Sequence, residues 1–315
     1  MRTARIIYAL AGVFALCVPM LGIYPIFMMK LLCFAMFACA FNLLLGFSGM
    51  LSFGHAAFFG SAAYATGWLV TAHGWGTVPA ILAGITVAAA LGVVIGLIAI
   101  RRRGIYFAMV TLALAQLVYF VCLEAPFTGG ENGLQDVPRG SLIGVLALKS
   151  DVAMYYVVLA AFAAVFALIR RIVHSPFGQV LKAIRDNESR AISLGYDINR
   201  YKLLAFVLSA TLSGFAGSLK TLVLGFTTLS DVLQANSGEV ILMTLLGGSG
   251  TFLGPVVGAA LVVTLQEYLS DIVGGWVTVI IGGVFVACVL AFRRGIVGEL
   301  AALRLPRRGS READS

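Results

Sequence analysis

Apolar runs of bilayer length follow one another along almost the whole chain, and a single long stretch between them reads as water-soluble. A span needs ~20 apolar residues. Such runs fall at 6–25, 31–47, 55–72, 78–100, 105–123, 152–170, 201–223, 238–248, 252–269 and 276–292, the eighth being short. They are continuously apolar where a β-barrel would alternate. Only 11% of the residues are charged, against about 25% in soluble domains, too few to cover a water-facing shell. The sequence predicts an all-α, polytopic transmembrane helical bundle of ten spans. It forms one domain over residues 1–300, followed by a basic, disordered tail over 301–315.

The placement of charge orients this bundle. A net charge of +8 would suit nucleic acid if it lay on one surface, but the basic residues sit in short clusters at the ends of apolar runs. That is the positive-inside pattern, and no nucleic-acid partner is expected. Arg2 and Arg5 precede the first run, which lacks a clear cleavage site and reads as a retained span. With those two arginines inside and the spans alternating, 18 of the 22 basic residues face the cytoplasm. They include Arg101 to Arg103, the basic residues of 170–202, Arg293, Arg294 and the tail. Lys30, Arg139, Lys149 and Lys220 face outward. Both termini are expected in the cytoplasm, and the short eighth run is kept because dropping it would throw the last basic clusters outside. Cys17, Cys33, Cys39, Cys122 and Cys288 lie in or beside apolar runs with no C-x-x-C pair. They read as packing residues, and no metal site is expected.

Glycine recurs at helix-packing spacing: Gly92 with Gly96, Ala210 with Gly214 and Ser218, Ser213 with Gly217, and Gly254 with Gly258. Small residues at such spacing let helices approach closely in lipid. Two further stretches have a different texture. Gly46, Ser48, Gly49, Ser52 and Gly54 interrupt the run from Asn42 to His55. Gly247, Gly248, Ser249 and Gly250 interrupt the run from Leu246 to Pro255. Aligned on Gly46-Phe-Ser-Gly and Gly247-Gly-Ser-Gly, they form a weak internal repeat, one copy in each half. Broken helices at matching places point to a transport pathway or gate. The other reading is a pair of short cytoplasmic turns. His55 is open to two roles, proton handling or capping and packing. Asn42 and Glu239 are polar in apolar surroundings and should face the bundle interior.

The water-soluble stretch, Arg170 to Lys202, holds seven of the basic residues. Ser175 and Pro176 are a helix start. After Phe177, an apolar face made by Val180, Leu181, Ile184, Ala191, Ile192 and Leu194 opposes Lys182, Arg185, Asp186, Glu188 and Arg190, and Gly195 stops the helix. Asp197 can cap the next one. One amphipathic helix is therefore expected across the cytoplasmic ends of the spans, resting on headgroups or docked in a protein groove. Three acids among the bases and the glycine stop point to the groove. No phosphate loop, H-E-x-x-H or G-x-S-x-G is present, so neither ATP hydrolysis nor another enzymatic activity is expected of this chain. That leaves a transport subunit moved by partners, an ion-gradient transporter using His55 or Glu239, or a membrane scaffold.

Four segments together carry a resemblance: NLLLGFSGMLSFGHAAFFGSAAY, GIYFAMVTLALAQLVYF with TGGENGL, SPFGQVLKAIRDNESRAISLGYDINRYKLLAFVLSA, and GGSGTFLGPVVGAAL. Over residues 30–295 the chain resembles the LivM-type permease of bacterial branched-chain amino acid ABC importers. The resemblance implies an inner-membrane subunit paired with a second, LivH-type permease, two cytoplasmic ATPases that bind the ATP, and a periplasmic substrate-binding protein. No cofactor is implied on this chain. Residues 175–195, including Gly178, resemble the coupling helix seated on an ATPase, and Glu188 to Gly195 echoes the E-A-A-x-x-x-G pattern of other importers. Leucine, isoleucine and valine are the implied substrates, with urea, short amides or aromatic acids carried by similar permeases.

Overall fold

The computed structural model describes residues 24–142, 146–147, 150–276, 279–284, 286 and 295–303. The first expected span with Arg2, Arg5 and Cys17, part of the tenth with Cys288, Lys149, Arg293, Arg294 and the tail from residue 304 lie outside the described residues.

Residues 279–284 are helical, and eleven further α-helices have bounds among the described residues. They are α1 (Pro25–Ser48), α2 (His55–His73), α3 (Thr77–Ala99), α4 (Ile105–Glu124), α5 (Asp151–His174), α6 (Pro176–Asp186), α7 (Glu188–Ser193), α8 (Ile198–Leu224), α9 (Gln234–Gly247), α10 (Gly254–Val273) and α11 (Gly295–Leu303). Five of them, α1, α3, α4, α5 and α8, are long and apolar enough to cross a membrane. The outer faces of α3 and α4 expose Leu82, Val94, Leu97, Met109, Leu117 and Phe120, the inverse of a water-soluble surface. Eight of the expected spans coincide with helices to within a few residues.

Helix directions follow from who touches whom. Phe37 meets the Phe59 ring and Phe41 meets His55, so α1 and α2 run antiparallel. Helix α8 threads between them, bound to both by Ser209, which donates to the Ala40 carbonyl (2.6 Å) and contacts His55. The small-residue rows account for this closeness. Gly92 lies against Ala210, Gly84 against Thr66 and Ser218, Gly214 against Ala62 and Ala88, and Gly217 against the Phe59 backbone. Gly258 abuts the Met243 carbonyl, which fixes the α9–α10 hairpin. Thr66 donates to Ser218 (2.8 Å) across the same seam. With little hydrophobic drive between helices in lipid, this contact and hydrogen bonding hold the bundle.

The break after α1 and the short eighth run take definite form, and the single amphipathic helix needs correction. First, α1 continues through Gly46 and ends at Ser48, so the interruption is the six-residue turn 49–54, and the antiparallel return of α2 makes it a turn between helices. Second, the amphipathic segment is two helices. Asn187 is extended (φ −157°, ψ 99°) and its side chain accepts the Arg190 N–H, so it ends α6 and caps α7. Third, α9 has 14 residues, about 21 Å of helix, less than the ~30 Å bilayer core. Non-helical backbone precedes it: Thr227 pairs with Leu134, and Leu229–Asp231 form a 3-10 turn packed beside α2. Between α4 and α5, β1 (Ser141–Leu142) pairs antiparallel with β2 (Leu146–Ala147).

Candidate functional site

One end of the bundle collects Arg101, Arg102, Arg103, Arg170, Arg171, Lys182, Arg185, Arg190, Arg200 and Lys202; the opposite end has Lys30, Arg139 and Lys220. The α6–α7 pair lies across the basic end. Ser175 caps α6 by accepting the Gly178 N–H (3.4 Å), and Pro176 occupies its first position. Gly178 is pressed onto the Ile172 and Val173 carbonyls at the end of α5, where a Cβ would collide with backbone. The sharp α5–α6 corner therefore depends on glycine. Gly178→Val is expected to cost about 1–3 kcal/mol by overpacking, read as a lower unfolding temperature in detergent.

Beyond the corner, Phe177 stacks on Tyr201 with centroids 5.7 Å apart, and Leu181 and Ile184 are buried. Lys182 sits over the Phe47 ring at 5.9 Å. Arg185 turns inward: Nη1 donates to the Gly46 carbonyl (2.6 Å), while the other nitrogens hold Asp186 at 3.0 and 3.2 Å. A guanidinium at the carbonyl end of α1 is also favoured by the helix dipole. Glu188 binds two cations from other elements, Arg103 at 3.2 Å and Lys202 at 3.1 Å. Gly195 (φ 85°) ends the segment in the left-handed conformation, and Asp197 caps α8 by accepting the Arg200 N–H. The apolar face divides. Ala191 is buried, whereas Ile192 and Leu194 are 51% and 68% exposed.

The two glycine-rich turns meet beneath Arg185. Asn42 accepts the Gly250 N–H (2.9 Å) and donates to the Thr251 carbonyl (2.8 Å), joining stretches about two hundred residues apart. Gly46 lies against the Gly250 backbone, with no room for a Cβ. Phe252 packs between the rings of Phe47 (5.4 Å) and His174 (5.3 Å), which ties the second turn to the α5–α6 corner. Ser48 donates to the Leu44 carbonyl, Gly49 is left-handed (φ 73°), Ser52 accepts the Gly54 N–H, and Gly54 rests on Thr111. Gly247 and Gly248 are buried at the α9–α10 corner and Ser249 is exposed. Asn42→Leu removes two hydrogen bonds and orphans a half-buried donor and acceptor, so a loss of about 1–3 kcal/mol is expected. Thermal unfolding would read it.

His55 and Glu239 stand apart from this cluster. His55 is fully buried, edge-on to Phe41, Phe58 and Phe206. Its Nε2 lies 2.9 Å from the Ser209 hydroxyl, whose own proton goes to Ala40. Nε2 is therefore the donor, and His55 links α1, α2 and α8. Glu239 accepts from Gln266 (2.9 Å) in the other half of the α9–α10 hairpin. Sequence reasoning missed a buried ion pair near the opposite end. Lys220 Nζ is 2.8 and 2.7 Å from the two oxygens of Asp231. The signal was present, since Lys220 falls inside the apolar run 201–223, where an unpaired charge is costly, and Asp231 follows it by 11 residues.

The family model of the branched-chain amino acid transport system permease component matches residues 24–289. The LivM permease protein of Escherichia coli K12 is 30% identical over 282 residues, covering 81% of this chain and 65% of that protein. This chain thus spans about two thirds of the length of that curated relative. A LivM protein of Methanocaldococcus jannaschii is 27% identical over 59% of this chain and 55% of its own. The autoinducer 2 import permease LsrC of Klebsiella pneumoniae is 30% identical over 45% of this chain and 42% of its own. On the family match, the chain belongs to the permease components of branched-chain amino acid transport systems.

Proposed function

We propose that this chain is a passive translocation subunit of an ATP-driven importer, forming half of a pathway for branched-chain amino acids. The observation that carries the reading is the α6–α7 pair. It is exposed on one side through Ile192 and Leu194 and anchored on the other by Arg185 to the place where both glycine-rich turns meet. A push on such a lever moves α1 and the α9–α10 hairpin together. The partners are a second, LivH-type permease, two cytoplasmic ATPases that bind the ATP, and a periplasmic substrate-binding protein. The chain holds no cofactor and catalyses no reaction. It crosses the bacterial inner membrane ten times, with both termini and the basic end in the cytoplasm. The LivM names favour leucine, isoleucine and valine. The LsrC name supports a scaffold that also suits other small solutes, with urea, short amides and aromatic acids as the alternatives. An aromatic cage around a hydrogen-bonded His55 disfavours an ion-gradient mechanism through that residue.

The test is reconstitution. Vesicles holding this chain alone are expected to show no uphill leucine uptake, and the full set of partners with internal ATP to restore it. Uptake by the chain alone that collapses with the proton gradient would overturn the proposal.

A further inference from the structure

A cleft of about 560 Å3 opens at the basic end between the α1–α2 turn, the Arg101–Gly104 turn and the α6–α7 pair. Its floor is apolar, from Met50, Phe53, Ile100 and Phe107, while Arg102, Arg103, Arg185 and Lys202 supply its cations. Glu188 is the one acid in the lining, and Arg103 and Lys202 already share it. Arg185 is held by Gly46 and Asp186, and Arg102 has no ion-pair partner among the described residues. The cleft therefore carries uncompensated positive charge over a greasy floor. The first turn of α4 opens into it through Gly104, Ile105 and Ala108, with no acid in that turn and no side-chain cap. Free N–H groups there add to the attraction for an anion. On its flank Ile105 and Tyr106 are exposed, continuous with the apolar outer face of α4.

A charged wall, an apolar floor and an apolar flank suit a molecule with a phosphate at one end and a hydrocarbon tail at the other. Basic clusters at the cytoplasmic end of spans attract anionic lipid by about 1 kcal/mol per residue. A carboxylate from a docked protein would need the charge but not the apolar flank. We infer that the cleft binds the headgroup of an anionic phospholipid such as phosphatidylglycerol. The lipid clamps the α3–α4 turn to the α6–α7 lever through Arg102 and Arg103. This inference needs the chain to sit in a bilayer and does not depend on what it transports.

The test uses the purified protein, with any partners that copurify, in phosphatidylcholine vesicles containing a minor share of phosphatidylglycerol. Native mass spectrometry reads the retained phosphatidylglycerol. The double variant Arg102→Ala with Arg103→Ala is expected to weaken retention roughly 30-fold, about fivefold per arginine. Arg190→Ala with Arg200→Ala, exposed basic residues outside the cleft, should leave retention unchanged. Both pairs are exposed, and unchanged elution and unfolding temperature would establish folding. Equal loss in the two double variants, or none in either, overturns the inference. Displacement of the lipid by soluble glycerol phosphate would assign the cleft to a free phosphate ester and overturn the lipid. Crosslinks from the cleft to an ATPase, with phosphatidylglycerol absent from the full assembly, would overturn it in favour of a protein contact.

Discussion

Replacing Asp231 with Ala is expected to destabilise the bundle by about 3–5 kcal/mol, because it leaves the Lys220 ammonium buried with no counter-charge. The two side chains are 5% and 7% exposed. Asp231 also accepts the Thr228 N–H (3.1 Å), so the carboxylate holds the 3-10 turn as well as the lysine. Without it, the nearest compensation is the Phe226 ring, 5.0 Å from Lys220 Nζ, worth far less than an ion pair. Lys220→Met should also destabilise. The double variant Lys220→Met with Asp231→Leu should recover part of the loss, since an apolar pair of similar volume avoids the desolvation of both charges. Cys33, Cys39 and Cys122 are buried and free, so a thiol-reactive dye reports unfolding directly. The single Asp231 variant should unfold on the order of 10 °C lower. An unchanged temperature, or strict additivity in the double variant, would show that the pair does not hold the turn.

That pair also marks the boundary of what the sequence allows. The positions of the eight helices that match expected spans follow from apolar length alone, and the small-residue rows mark the faces that α3, α8 and α10 turn to close neighbours because spacing on a helix fixes which residues share a face. Ser175, Gly195 and Asp197 were legible as caps, since capping is a local matter of side-chain reach. Pairings across the chain were not. The likeness of the Gly46 and Gly247 stretches was visible, but their contact through Asn42 depends on how α1 and α10 are placed. Asn187 carries its own N-cap signature, an Asn before Glu188, yet the apolar face on either side suggested one helix. Glu188 read as a surface acid available to a partner. Its bonds to Arg103 and Lys202 arise only once the turn between α3 and α4 converges with α7 and α8. The exposed positions Ile192 and Leu194 likewise could not be told from the buried Leu181 and Ile184, because one stripe continued through both helices was the simpler pattern.

The division of the lever into an outer and an inner face leads to the second large effect. Ile192→Glu with Leu194→Glu alters only exposed side chains and, on the importer reading proposed above, is expected to abolish capture of the ATPases, with the bundle still folded. Arg185→Ala acts on the inner face. It removes the bond to the Gly46 carbonyl and leaves the outer contact intact, so the ATPases should still bind and hydrolyse ATP while uptake falls at least tenfold. A drop of that size corresponds to about 1.4 kcal/mol, within the range of a charged hydrogen bond. Adding Glu188→Lys to Arg185→Glu should abolish uptake, because it also repels Arg103 and Lys202 from the lever. Membrane insertion is expected to survive in every case, since the spans are untouched. Uptake, ATP hydrolysis and ATPase copurification measured side by side on these three variants separate the outer contact from the inner linkage. If Arg185→Ala transported normally, the glycine-rich turns would not be driven through that side chain; if it instead lost the ATPases, Arg185 would belong to the outer contact and the lever would have a single working face.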